Sequence, residues 1–164
     1  MFSLEELNTF FRYCIVLTGD EDAASDLLQS CLEKYVKLDN SGIRDLKAYF
    51  RRMIRNQFID DQRKDDNRQL YEFNEENTVV QIDMRSLDDI IVSREQTKLI
   101  LSMLNPHERE ILFLWAVEGF TVKEIAGDLG IPQGTLLSRL HRLKLKIKNQ
   151  LGARRKKGTK WGKL

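Results

Sequence analysis

The chain has 164 residues and a formal net charge of +2, with 32% charged and 41% hydrophobic residues. This length and composition allow one compact domain or two small ones, and they exclude a large multidomain enzyme. A bilayer-spanning helix needs about 20 apolar residues in succession, which the sequence lacks, and the N-terminus is acidic where a signal peptide would be basic, so we expect a cytoplasmic protein.

The hydrophobic periodicity is helical along almost the whole chain, and this pattern predicts an all-α fold. A first helix is expected at about 3–18, where Gly19 supplies a left-handed stop. A second helix is expected at about 22–37, with Asp22 as its capping residue, and a third at about 44–65.

The first two helices each carry an apolar stripe that predicts their buried face. Cys14 and Cys31 belong to these stripes and lack the close spacing of a zinc or redox pair, so both are interpreted as reduced packing residues. The predicted inward residues are Leu4, Leu7, Phe10, Phe11, Cys14 and Leu17 in the first helix, and Ala24, Leu27, Leu28, Cys31, Leu32, Tyr35 and Val36 in the second.

An acidic stretch separates these helices from the rest of the chain. Between 65 and 93 the sequence has eight acidic residues and two basic ones, with no clear apolar period. Such a segment is too polar to form a core. We therefore divide the chain into a folded unit at 1–66, an acidic linker at 67–93 and a second folded unit at 94–151.

The second unit shows two strong helix-start signals. Asn105-Pro106-His107-Glu108 combines a capping Asn, a proline at the first helical position and an acidic first turn, and Thr121-Val122-Lys123-Glu124 is a capping box. A last helix starts near Gln133, after a turn that contains Gly130. A short helix, a three-residue turn and a longer basic helix are typical of a helix-turn-helix, although an amphipathic hairpin used for protein contacts has the same pattern.

Basic residues are concentrated at the C-terminal end. Eleven Lys or Arg residues and no Asp or Glu lie between 129 and 164. This block favours a polyanion as partner, because each cation near a phosphate releases condensed counterions. For the basic tail at 152–164 taken alone, a solvated segment is an equally good interpretation.

The third predicted helix interleaves aromatic residues, including Tyr49, Phe50 and Phe58, with Arg and Lys. Rings that stack on bases and cations that hold the backbone are typical of single-strand binding. Asn56 adds an amide that can pair with the edge of an extruded base. Aromatic residues at helical spacing are more often part of a core, so both interpretations stay open.

Taken together, the two halves resemble the extracytoplasmic-function (ECF) group of bacterial sigma factors, the smallest members of the sigma-70 class. The resemblance covers nearly the whole chain, in the family's order and spacing. The runs that look like region 2 are the stretch from Tyr13 through Thr18-Gly19-Asp20, then Asp26-Leu27-Leu28-Gln29 and Tyr49-Phe50-Arg51-Arg52-Met53-Ile54-Arg55-Asn56, followed by Asp60 and Arg63. The runs that look like region 4 are Leu104-Asn105-Pro106-His107-Glu108-Arg109-Glu110-Ile111, Glu118-Gly119-Phe120-Thr121, Glu124-Ile125-Ala126, Leu129-Gly130-Ile131-Pro132, Gly134-Thr135 and Ser138-Arg139-Leu140-His141-Arg142.

The resemblance implies a protein that directs bacterial core RNA polymerase to promoters, needs no cofactor or metal and is not an enzyme. The second helix would bind the clamp helices of the polymerase β′ subunit through Asp26, Leu28, Gln29 and Glu33. The third helix would melt and read the minus-ten element of promoter DNA through Tyr49, Arg52, Arg55, Asn56 and Arg63. The last helix would read the minus-thirty-five duplex through Gln133, Thr135, Ser138, Arg139 and Arg142, while the core of the same domain packs on the β flap.

Further expectations concern partners and rival functions. The resemblance adds an anti-sigma factor to the candidate partners, and we expect a monomer in the free state. The main rival is an autonomous helix-turn-helix regulator that binds DNA without polymerase and for which the Asp26 to Gln29 surface has no role. An enzyme that uses Asp20, Asp22 and Asp26 is disfavoured, because no His, Lys or glycine-rich loop accompanies these carboxylates and a helix start explains them better.

Overall fold

The computed structural model describes residues 1–65 and 94–158, and all regular structure in those residues is helical. The predicted acidic linker at 67–93 lies outside the described residues. The all-α prediction is confirmed, with three helices in the N-terminal unit and four in the C-terminal unit, where a π-helical segment continues α5. Their bounds are α1 Leu4–Thr18, α2 Glu21–Val36, α3 Leu46–Lys64, α4 Arg94–Met103, α5 Pro106–Leu112, the π-helical segment Phe113–Val117, α6 Val122–Leu129 and α7 Gln133–Gly158.

Local hydrogen bonds set the ends of the first two helices. Ser3 opens α1 with a capping box, and Gly19 ends it with a left-handed φ of 73°. The prediction that Asp22 caps the second helix is wrong, because Asp20 has the extended backbone of an N-cap and its carboxylate accepts a hydrogen bond from the N–H of Ala23 at 2.8 Å. Asp22 instead lies in the first turn of α2, where a negative charge is favoured by the helix dipole.

Four aromatic rings form the centre of the N-terminal core. Phe50 of α3 is fully buried, and its ring centroid lies 4.8 Å from that of Phe10, 4.9 Å from that of Phe2 and 5.3 Å from that of Tyr35. These rings come from α1, α2, α3 and the residues before α1, so one cluster joins the whole unit. Offset and edge-to-face rings at such distances add to the stabilisation that burial gives.

Both cysteines are buried and unpaired, as the sequence predicts. Burial raises the pKa of the Cys14 thiol to about 12 and that of the Cys31 thiol to about 11. At neutral pH both side chains are therefore protonated and act as small apolar groups.

The predicted stripes identify most of this core, with two kinds of error. Leu4 and Val36, which were expected to point inward, are 76% and 70% exposed. Conversely, Tyr13 and Val16 are buried although the predicted stripe of α1 omits them. The reason is that α1 packs against α2 and α3 on one side and against α5 on another. A single amphipathic stripe predicts only one of those two buried faces.

The C-terminal unit begins as the capping signals predict. Asn105 and Glu108 form a capping box with Pro106 at the start of α5, and Thr121 opens α6 with a second capping box. Gly130 ends α6 with a left-handed φ of 67°, and α7 follows after a short turn. The helix-turn-helix prediction is confirmed by this α6–turn–α7 arrangement.

The last helix is longer than expected. The apolar spacing of this helix predicts Leu136, Leu137, Leu140, Leu143 and Ile147 as inward residues, and all of them except the half-buried Leu137 are buried against the rest of the unit. The helix continues through Gly158, so the first seven residues of the predicted basic tail are helical. Residues 159–164 lie outside the described part of the chain.

The N-terminal and C-terminal units pack against each other through α1 and α3 on one side and α5 and α6 on the other. Arg109 of α5 donates hydrogen bonds from Nε to the carbonyl of Val16 at 2.7 Å and from Nη2 to the carbonyl of Leu17 at 3.1 Å. These carbonyls belong to the last turn of α1, which has no intrahelical donors for them. Arg109 of the C-terminal unit therefore supplies hydrogen-bond donors that the last turn of α1 lacks.

Candidate nucleic-acid and polymerase interfaces

The surface of α3 that faces away from the core carries four of the five residues predicted for the minus-ten element. Tyr49, Arg52, Asn56 and Arg63 are spaced by three, four and seven residues, which places them along one side of the helix. Arg52, Asn56 and Arg63 are exposed and Tyr49 is half-buried. Cations, an amide and a ring on one face can hold a strand and its bases. The other aromatic residues of α3 do not join this face, because Phe50 is buried and Phe58 packs on the core.

The fifth predicted residue, Arg55, faces the C-terminal unit. Its Nε lies 3.2 Å from Oε1 and 3.3 Å from Oε2 of Glu110, and its side chain is 21% exposed. One turn earlier, Arg51 donates a hydrogen bond to Oδ2 of Asp128 at 2.7 Å, while Arg52 lies 3.6 Å from Oδ1 of the same carboxylate. Arg51, Arg52 and Arg55 of α3 are therefore each paired with a carboxylate of the C-terminal unit.

Glu110 is the most buried acidic group of this contact. The Tyr13 hydroxyl donates a hydrogen bond to its Oε1 at 2.5 Å. Burial raises the pKa of Glu110, although the charge of Arg55 and the hydrogen bond from Tyr13 oppose that shift. The pKa of Tyr13 is raised well above its usual value, first by burial and then by the carboxylate beside it. Tyr13 is thus a permanent donor, and Glu110 is held by two partners from the N-terminal unit.

The guanidinium of Arg51 has a second partner. It lies 4.5 Å from the centroid of the Phe120 ring, at the start of the helix-turn-helix. A cation over an aromatic face within about 6 Å is attracted by the ring quadrupole. Arg51 is therefore fixed by both Asp128 and Phe120, and only 16% of its side chain is exposed. The sequence predicts Arg51 only as one of the cations that the third helix offers to a single strand, and it does not predict Glu110 or Asp128 as site residues. A carboxylate on the apolar side of α5 is the one sequence signal that points to such a contact.

The outer surface of α7 carries the residues predicted for the minus-thirty-five element. Thr135, Ser138 and Arg142 lie on the side opposite the buried leucines. Ser138 donates to the carbonyl of Gly134 at 3.1 Å. Gln133 is exposed at the first position of the helix. These side chains lie where the first turns of a recognition helix contact base edges and phosphates.

Arg139 differs from its neighbours on α7. It is half-buried, and its charge lies close enough to His107 of α5 to affect that imidazole. Burial, together with the positive charges of Arg55 and Arg139, lowers the pKa of His107 to about 4. The imidazole is therefore neutral at physiological pH, at a point where α3, α5 and α7 approach one another.

The surface of α2 predicted to bind polymerase is formed by three exposed residues and one packing residue. Asp26, Gln29 and Glu33 share one side of the helix, and the Gln29 amide donates to the Glu33 carboxylate at 3.3 Å. Leu28 is only partly exposed, because it packs on the hydrophobic core. A partner can therefore reach the three polar residues directly, whereas Leu28 also contributes to the fold.

Within 1–65 and 94–158, no group of three His, Cys, Asp or Glu side chains is arranged to hold a metal ion. In the same part of the chain, no helix combines the length and the apolar character needed to cross a bilayer.

Comparisons with known proteins agree with this architecture. Residues 94–147, which include the helix-turn-helix, match the family model "Sigma-70, region 4". The ECF RNA polymerase sigma factor SigL of Mycobacterium tuberculosis is 27% identical over 143 residues, covering 84% of this chain and 79% of SigL. The sigma factor RpoE of Bartonella quintana, solved in complex with the anti-sigma factor NepR, aligns with a TM-score of 0.65 and 26% identity over 91% of this chain and 93% of RpoE.

The family model matches the helix-turn-helix unit, and the relatives align with both units, so the chain is similar in sequence and in fold to sigma factors of the sigma-70 family. Among these relatives, SigL is an ECF sigma factor. These likenesses support a role as a sigma factor in transcription from promoters. Nothing in these findings favours the autonomous regulator.

Proposed function

We propose that this sigma factor uses α7 to bind the minus-thirty-five element as duplex DNA and α3 to open and bind the minus-ten element as a single strand. The observation that carries the proposal is the pair of separate polar faces on these two helices. Thr135, Ser138 and Arg142 are presented by a helix-turn-helix, and Arg52, Asn56 and Arg63 are presented by α3. Duplex readout suits the first geometry, and stacking with backbone contacts suits the second.

Neither face alone offers enough contacts for tight binding. The recognition surface of α7 covers only its first few turns, and the exposed surface of α3 presents few cations. If the α3 and α7 surfaces are held on one large partner, DNA binding by the first makes DNA binding by the second intramolecular. The overall affinity for DNA then rises without new contacts. We therefore propose that the core polymerase binds the polar face of α2, where Asp26, Gln29 and Glu33 would contact the β′ clamp helices.

The first experiment tests this placement. Purified full-length protein is mixed with core RNA polymerase from its native host and passed through gel filtration, with and without a competing housekeeping sigma factor. Co-elution that the competitor abolishes supports the shared clamp site. Absence of co-elution with an active core contradicts the proposal and would direct attention to DNA binding by the protein alone.

A variant and its matched control locate the contact. Asp26→Ala/Gln29→Ala is expected to abolish co-elution and run-off transcription while the helical circular dichroism stays unchanged, because both side chains are exposed. Leu28 is left intact, since it packs on the core. Glu5→Ala/Asn8→Ala removes the same two chemical groups from exposed positions of α1 and should leave transcription unchanged.

An anti-sigma factor belongs among the proposed partners. The structural relative RpoE was solved in complex with the anti-sigma factor NepR, and it covers 91% of this chain. A protein that captures this sigma factor should compete with core polymerase in the same gel-filtration assay.

A further inference from the structure

One carboxylate lies within the face of α3 that we assign above to the minus-ten strand. Asp60 is exposed, four residues after Asn56 and three before Arg63, so the three residues share one side of the helix. The rise of the helix separates Asn56 from Asp60 by about 6 Å along the axis. Because a negative charge repels phosphate, this residue needs an explanation other than contact with the DNA backbone.

The fold gives no reason for this carboxylate. The other acidic residue of α3, Asp61, accepts a hydrogen bond from the Gln57 amide at 2.7 Å, and Gln57 accepts one from Lys34 of α2. By contrast, no hydrogen bond or ion pair joins Asp60 to another residue in the described part of the chain, although Arg63 follows it at a spacing that allows one. Aspartate is also a poor helix former. Asp60 therefore costs the helix some stability and gains no contact within 1–65 and 94–158.

The charges around Asp60 still attract a nucleic acid. Arg52, Arg63 and Lys64 of the same helix are exposed, so cations outnumber the single carboxylate there. A strand whose phosphates lie on these cations would bring a base to Asp60. An ionised carboxylate accepts hydrogen bonds and donates none, so it can bind only a base edge that carries N–H groups.

Guanine has the pairing edge that suits a carboxylate best. Its N1–H and its N2 amino group lie side by side and both donate, so they match the two oxygens of an aspartate. On the pairing edges of adenine and cytosine, the donating amino group adjoins a ring nitrogen that accepts, and in thymine one N–H lies between two carbonyl oxygens. Each of those edges would bring an acceptor against the carboxylate. A base taken out of the duplex exposes its pairing edge, which a base pair hides.

We propose that Asp60 is a specificity-determining residue that selects guanine in the melted strand on α3, by accepting two hydrogen bonds from the pairing edge of that base. The inference rests on the proposed function of α3 and adds to it a base and the residue that reads it. The Asn56 amide, which both donates and accepts, would contact the neighbouring nucleotide one helical turn away. Arg63, on the other side of Asp60, would hold a phosphate.

The experiment measures the base preference of the full-length protein. Asn56, Asp60 and Arg63 are exposed in the full chain, so a strand can reach them directly. Fluorescence anisotropy compares labelled strands of 20 thymidines in which one central thymidine is replaced by deoxyguanosine, deoxyinosine or 7-deaza-deoxyguanosine. Inosine keeps N1–H and lacks the amino group, whereas 7-deazaguanine keeps the whole pairing edge and loses N7. The same strands are then tested on the complex with core polymerase.

The wild type is expected to bind the guanine strand at least about fivefold more tightly than the inosine strand, at the lower end of the discrimination that a bidentate contact to a base gives. The 7-deazaguanine strand should bind within twofold of the guanine strand. Asp60→Asn should bind the guanine and inosine strands within twofold of each other. Its circular dichroism should match that of the wild type, because the side chain is exposed.

Asp65→Asn is the matched control. Asp65 is an exposed carboxylate that caps the C-terminal end of the same helix, and its distance of nine residues from Asn56 places it on the opposite side. Its substitution changes the net charge as Asp60→Asn does, and it should leave the ratio of guanine to inosine affinities unchanged.

Three results would overturn the proposal. The first is a wild type without a preference for guanine over inosine. The second is a preference that persists in Asp60→Asn or disappears in Asp65→Asn. The third is a loss of affinity for the 7-deazaguanine strand, because N7 rather than the pairing edge would then be read.

The outcome is separable from that of the proposed function. If the protein fails to bind core polymerase and the full chain still prefers guanine through Asp60, the base contact is supported and the sigma mechanism is not. If the protein binds polymerase and transcribes from promoters, but both forms bind strands without regard to guanine, the proposed function is supported and this inference is wrong. If neither form binds any strand, α3 does not bind the minus-ten element and both proposals for that helix are wrong.

Discussion

The guanidinium of Arg109, on α5, lies directly over Gly19 at the end of α1. A Cβ built on Gly19 would lie 3.4 Å from Nη1 of Arg109, and Gly19 has a left-handed φ of 73°. The backbone conformation is what requires the glycine, and a Cβ there would lie in ordinary van der Waals contact with the Arg109 guanidinium. An ordinary C-cap residue of α1 thus also forms part of the contact between the units.

Gly19→Ala is expected to lower the free energy of unfolding by about 1–2 kcal/mol, since an L residue in the left-handed region costs that amount. Urea unfolding followed by circular dichroism measures the loss. Gly127→Ala is the control, because Gly127 lies inside α6 with open space around it, and alanine is favoured over glycine there by about 1 kcal/mol. A Gly19→Ala protein as stable as the wild type would contradict the required left-handed turn.

Tyr13→Phe removes the hydroxyl that donates to Glu110 and leaves the ring in place. The buried carboxylate then keeps Arg55 but loses a neutral donor, so we expect the free energy of unfolding to fall by about 1 kcal/mol. Tyr35→Phe is the control, since its ring packs on Phe50 in the N-terminal core, away from Glu110. A larger loss for Tyr35→Phe than for Tyr13→Phe would contradict the importance of the hydrogen bond across the units.

Much of the fold follows from local sequence signals, because each of them acts within one helical turn. The capping boxes at Asn105 and Thr121 and the glycine stops at Gly19 and Gly130 involve residues three or four positions apart. The contact between the units has no such signal. Arg51 and Asp128 are 77 residues apart, and only the folded chain brings their charges together. The same reason explains why the sequence predicts Arg55 as a DNA residue alone, without its pairing to Glu110.

The burial of Tyr13 and Val16 illustrates the same limit within one helix. Hydrophobic periodicity assumes one buried face, and α1 has two, of which the second depends on a distant part of the chain. For the sites, the sequence places Thr135, Ser138 and Arg142 on one side of a helix by spacing alone. That these residues bind DNA stays a prediction, since their roles were inferred from the family resemblance.

His107 should make the protein sensitive to acid. Burial and the charges of Arg55 and Arg139 lower its pKa from 6.5 to about 4 in the folded protein, so folding favours the neutral imidazole. The stabilisation is complete above pH 6.5 and is lost as the pH falls toward 4, because the unfolded chain takes up the proton first. His107→Asn should remove this part of the pH dependence of the melting temperature. An imidazole that titrates near pH 6.5 by NMR in the wild type would contradict the expectation.

Arg142→Ala tests the recognition helix at an exposed cation of its outer surface. The side chain lies opposite Leu140 and Leu143 in the core, so its removal should leave the fold intact. If Arg142 contacts a base, the holoenzyme should lose about 1–3 kcal/mol of affinity for its own promoter and little for unrelated duplex; if it contacts a phosphate, affinity should fall equally for both and the salt slope should decrease by about 1. Lys148→Ala, an exposed cation further along α7, is the control and should change promoter affinity less. Equal binding by Arg142→Ala and wild-type holoenzyme at all salt concentrations would remove this face of α7 from the proposed interface.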